Sequence, residues 1–71
     1  MAKKYNKQFL AQILVYLARG FNYHEIAKNY NCKPHVISST VARGYKHSGT
    51  FNLLELFLWA LQENLLKLED I

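Results

Sequence analysis

The chain has too little cysteine for a disulfide framework: Cys32 stands alone among 71 residues, so no internal bridge can form. Metal chemistry is missing too. Cys32 and His35 have a C-x-x-H spacing, but His24 and His47 fall in separate segments, and four ligands are not assembled. Cys32 therefore reads as inert. There are no paired carboxylates and no glycine-rich oxyanion loop, and the chain is too short to wall a substrate cavity, which excludes an enzyme. Neither a cofactor nor a small-molecule ligand is implied. No apolar run approaches the roughly 20 residues that span a bilayer, and the start, Met1-Ala2-Lys3-Lys4-Tyr5-Asn6, lacks the apolar stretch of a signal peptide. A protein of the reducing cytoplasm, with no membrane partner, is expected.

Acidic residues are scarce where basic ones gather. Residues 1–50 hold Lys3, Lys4, Lys7, Arg19, Lys28, Lys33, Arg43 and Lys46 against Glu25, a balance of +7, whereas residues 51–71 hold Lys67 against Glu55, Glu63, Glu69 and Asp70, a balance of −3. This polarity suggests one end facing a polyanion and the other facing protein. A chain this short also buries only about 60% of the surface its unfolded form exposes, so association is the expected supplement to its stability.

Apolar spacing predicts an all-α, four-helix domain, with helices at about 7–18, 22–30, 34–46 and 52–67. On the first, Phe9, Ile13, Tyr16 and Leu17 share an arc with Leu10 and Leu14 beside them, and Lys7, Gln8, Ala11 and Gln12 lie opposite. Gly20 stops it. Asn22 with Glu25 makes a capping-box start for a short second helix whose apolar side is Ile26, Ala27 and Tyr30. Asn31 is suited to a left-handed turn, and Pro34 to the first turn of a third helix, which Ser48-Gly49-Thr50 breaks. Asn52 with Glu55 repeats the capping pattern. Two short helices joined by a tight turn form the layout of a helix-turn-helix.

Leu17-Ala18-Arg19-Gly20-Phe21-Asn22-Tyr23-His24-Glu25-Ile26-Ala27, followed by Val36-Ile37-Ser38, Ser48-Gly49, Glu55-Leu56 and Ala60, resembles without a gap the LuxR/GerE-type helix-turn-helix domain of bacterial transcription regulators. The resemblance implies a stand-alone domain from a bacterium or phage, whose third helix reads DNA and whose fourth makes a dimer. Regulators of that family usually carry a sensing or receiver domain ahead of the helix-turn-helix. None is present in these residues, so control by expression or by a partner is expected.

On the third helix, Ile37, Val41, Gly44 and Tyr45 share the packing side and leave His35, Ser38, Ser39, Ala42 and Lys46 outward. The resemblance places base contacts at Ser38, Ser39 and Ala42. These are small side chains without the bidentate discrimination of Arg on guanine or Asn on adenine. Phosphate positioning is better supplied, by Lys28, Lys33, Arg43, Lys46 and His47 and by the N–H groups that open the third helix. His24 and Tyr23 are expected on the surface near the DNA backbone.

The fourth helix is apolar on more than one side. Leu54, Leu58, Leu61, Leu65 and Leu68 recur with spacing four, three, four, three, a coiled-coil-like seam, while Leu53, Phe57 and Ala60 form an adjacent stripe. Leu56, Trp59 and Leu66 lie outside both. One stripe can cover the domain's own core, and the second then needs a partner, with Asn64 placed either to fix the register of a dimer or at an exposed edge. The expected partners are double-stranded DNA and a second copy, or another regulator in a heterodimer. A protein-interaction module that pairs through this helix and binds DNA weakly or not at all is the alternative.

Overall fold

The computed structural model describes residues 6–71, so Lys3 and Lys4 of the basic half lie outside the described residues. The chain order is α1 (Lys7–Ala18), α2 (Tyr23–Asn29), α3 (Pro34–Ser48), α4 (Leu53–Gln62) and a single 3₁₀ turn (Leu68–Asp70), with no strand among the described residues.

Asparagine opens α1, α2 and α4 and closes α2 and α4. The side-chain oxygen of Asn6 accepts from the N–H groups of Gln8 and Phe9, and that of Asn52 accepts from Glu55. At α2 the capping box is complete: Asn22 accepts from the Glu25 N–H at 2.8 Å, and the Glu25 carboxylate accepts from the Asn22 N–H at 2.9 Å. At the other ends, Asn31 (φ 55) and Asn64 (φ 59) turn the chain through the left-handed region. Each belongs to a Schellman motif. The Asn31 and Cys32 N–H groups close on the Lys28 and Ala27 carbonyls at 3.2 and 2.9 Å, and those of Asn64 and Leu65 close on Leu61 and Ala60 at 3.1 and 2.9 Å. Gly20 ends α1 in the same way, and the Phe21 ring then stacks edge-on against Tyr16, with centroids 5.2 Å apart.

Helix α3 lies at the centre and touches each of the other three. Its Ile37 and Val41 join Leu10, Ile13 and Leu14 of α1, Ile26 and Ala27 of α2, and Leu56 and Ala60 of α4 in one core. Gly44 lets these helices close up. A Cβ there would lie 2.8 Å from Leu10 Cδ2 and 3.4 Å from Leu56 Cδ2, so α1 and α4 both press on the same turn of α3.

Two expectations are corrected. The fourth helix stops at Gln62 rather than near 67, because Asn64 reverses the chain and Leu66 sinks into the core at 4% exposure. Ala11, expected on the outer side of α1, is buried for a related reason: the returning segment lays Leu65 and Leu66 along the cleft that Ala11 lines, and Arg19 donates to the Asp70 carbonyl at 2.8 Å to hold it there. A smaller difference is that α3 runs on to Ser48, where Gly49 (φ 72) accommodates the left-handed end.

Candidate nucleic-acid interface

Packing decides which side of α3 meets solvent. Ile37, Val41 and Gly44 are buried with Tyr45 at their edge, and His35, Ser39, Ala42 and Lys46 are exposed at spacing four, three, four along the opposite side. Arg43 flanks that line, exposed. Lys28 near the end of α2 and Lys33 in the turn are exposed as well, so the turn and α3 share a cationic border. The acid nearest in sequence, Glu25, is occupied at the start of α2 by its capping box.

Three residues sit differently from their sequence expectation. Ser38 is half-buried, and its hydroxyl donates to the His35 carbonyl at 3.2 Å, so it hugs its own helix rather than standing on the outward line. His47 is exposed, yet its ring meets Trp59 of α4 edge-on with centroids 6.0 Å apart, which places it on the α4 flank of α3. Tyr23 is half-buried and joins the packed cluster, and burial, followed by the neighbouring Tyr45, raises its phenol pKa above 10. His24 remains exposed.

The start of α3 differs from the other α-helices. Side chains cap α1, α2 and α4, but no side chain caps α3, whose N-cap is Lys33 and whose first helical residue is Pro34. A helix start of this kind presents partial positive charge to whatever lies before it. Cys32 beside it carries a free thiol and is packed in part against the core.

A second surface lies on α4. Leu56 and Ala60 are fully buried, so the domain-facing side takes Leu56, expected outside both stripes, together with Ala60 of the adjacent stripe, whereas Leu53 is 40% exposed and Phe57 half-buried. The outward side carries Leu54 at 69% and Leu58 at 49% exposure, with Leu61 half-buried. Leu65 and Leu68, the last two positions of the expected seam, lie beyond the helix end: the first is half-buried in the turn and the second is 71% exposed. Sequence reasoning passed over Phe51, which stands 90% exposed just ahead of Asn52. It also missed an apolar groove of about 300 Å³ that Leu14, Leu17, Ala18, Leu53, Leu54 and Phe57 line beside the outward leucines. No sequence signal marks that groove, because it forms where two helices meet.

No protein-family model, curated protein or solved structure matches the chain. Among the described residues, no group of three or more His, Cys, Asp or Glu side chains is placed to hold a metal ion, and no helix is long and apolar enough to cross a membrane.

Proposed function

We propose that this protein is a small DNA-binding transcription regulator of the cytoplasm, neither an enzyme nor a cofactor carrier, that acts as a dimer with α3 set in the major groove. The observation that carries this reading is the exposed side of α3, where His35, Ser39, Ala42 and Lys46 form an unobstructed line bordered by Arg43, Lys33 and Lys28. Small side chains at the centre let a helix approach base edges closely, and cations at the border match the phosphates on either side of the groove. Ser39 and Ala42 supply little discrimination, so affinity comes mainly from phosphate neutralisation and depends steeply on salt. In a dimer the two α3 helices would address half-sites about 34 Å apart, one turn of duplex.

The outward leucines of α4 support pairing of two copies. They support equally a protein-interaction role, in which α4 pairs with the equivalent helix of another regulator and the bland α3 face contributes little. Titrating the protein against duplex DNA at two salt concentrations separates these roles, with the Arg43→Ala/Lys46→Ala double variant as the control. Salt-sensitive binding that the double variant loses supports DNA recognition. Absence of binding to any duplex at low salt supports the interaction role instead.

A further inference from the structure

The leucine seam keeps its spacing through the point where α4 ends. Leu54, Leu58 and Leu61 lie on the helix, Leu65 and Leu68 lie after it, and the four, three, four, three interval is unbroken. Continued as a helix to Leu68, the segment would gather all five leucines into an arc of about 80°, at 100° per residue. That arc lies opposite Leu56, which faces the core with 0% exposure. In the observed fold, by contrast, Asn64 turns the chain away at φ 59 and scatters the last two leucines.

We propose that α4 extends through Asn64 to Leu68 when two copies of this chain meet, forming a short parallel coiled coil along Leu54, Leu58, Leu61, Leu65 and Leu68. This rests on the dimer proposed above and specifies its interface. A second copy fits the surface for two reasons. The ten-residue α4 spans about 15 Å and carries Leu54, Leu58 and a half-buried Leu61, whereas the extended helix spans about 24 Å and adds Leu65 and Leu68 to the same surface, toward the ~1,000 Å² that a stable interface needs. Charge agrees with a parallel pair. Glu55, Gln62 and Glu69 then flank the seam on one side with Phe57 and Asn64 on the other, so acids do not face acids across the interface; an antiparallel pair would set Glu55 beside Glu69 of the second copy.

The break in the single chain is held by contacts that the extension gives up. Leu66 is seated in the core at 4% exposure, and the Arg19 guanidinium donates to the Asp70 carbonyl. Asn64 is the hinge between the two forms. Asparagine tolerates the left-handed region better than most residues and is also acceptable within a helix.

The test combines sedimentation equilibrium with far-UV circular dichroism over a concentration series of the full chain, for the parent and for Asn64→Ala, Asn64→Gly and Leu68→Ser. The dimer should gain helix over six residues, Glu63–Leu68, relative to the monomer. Alanine is penalised in the left-handed region, so Asn64→Ala should favour extension about tenfold in each chain and the dimer constant about a hundredfold. Asn64→Gly should weaken pairing. Leu68→Ser should weaken it about tenfold or more while leaving the monomer's unfolding midpoint in place, because Leu68 is 71% exposed in the single chain. A dimer with unchanged helicity, indifferent to both position 64 and position 68, overturns the extension but leaves pairing through α4 intact. A monomer at every concentration overturns both.

Discussion

Gly44 offers a test of the packing that sets α3 in place. Alanine at a helix interior is ordinarily better than glycine by about 1 kcal/mol, so on propensity alone Gly44→Ala should stabilise the protein. Packing opposes it. The new Cβ would meet Leu10 Cδ2 at 2.8 Å and Cδ1 at 3.1 Å, and Leu10 is fully buried, so its methyls have no open space to swing into. Forcing a methyl into a filled core costs about 1–3 kcal/mol. The balance is a net loss of about 1 kcal/mol for alanine, or roughly 4–8 °C in Tm for a domain of this size. Gly44→Val, with two more methyls against Leu10 and Leu56 and no gain in propensity beyond that of alanine, should cost about 3 kcal/mol. Urea unfolding followed by circular dichroism, at one fixed low protein concentration, measures both. Trimming Leu10 to valine in the Gly44→Ala background isolates the cause. If Leu10 is the obstacle, the two changes couple favourably, and the double variant is more stable than the sum of the single effects. A Gly44→Ala protein stabilised by the full 1 kcal/mol would refute the close approach of α1 to α3.

The other expectations concern the turn, the tyrosines and the cations. Asn31 holds φ 55, so Asn31→Ala should destabilise by about 1–2 kcal/mol while Asn31→Gly stays close to the parent in urea unfolding; equal losses for both would show that the Asn31 side chain, not its backbone, matters. Tyr23 and Tyr30 have phenol pKa values raised above 10, chiefly by burial, and Tyr30 also donates its hydroxyl proton to Gln12 at 2.9 Å. A raised folded-state pKa for an acid means that the fold prefers the neutral phenol. Their contribution is therefore fully present below pH 10 and is lost as pH climbs through the raised values, so above pH 10 the urea midpoint should fall more steeply in the parent than in Tyr23→Phe/Tyr30→Phe. For DNA, Arg43→Ala and Lys46→Ala should each reduce the salt slope of duplex binding by about 0.9, as read from titrations across a salt series; slopes identical to the parent's would remove both residues from the phosphate border.

Local chemistry made much of this fold legible in advance. The asparagine caps, the glycine after α1 and the left-handed Asn31 act within four or five residues of themselves, so their consequences appear in the sequence and again in the structure. The buried side of α3 was legible for a similar reason, since a helix that is polar around most of its circumference has only one way to face inward. The border cations Lys28, Lys33, Arg43 and Lys46 were likewise placed on the exposed surface by exclusion from that core. Ser38 and His47 were harder, because a hydroxyl that bonds its own helix and a ring drawn to Trp59 leave no periodic trace.

What the sequence determined by itself was the helix count, the helix starts and, Ala11 of α1 apart, the faces of the helices that have a single apolar side. The tertiary structure decided α4. A segment apolar on several sides has no periodicity that says which leucine goes inward, and the burial of Leu56, outside both expected stripes, beside Ala60 was decided where α4 packs on α3 at Gly44. Its length was decided from still further away. Asn64 permits either a turn or a continued helix, and the site that Leu66 and the Asp70 carbonyl find against α1, far earlier in the chain, tips the single molecule toward the turn.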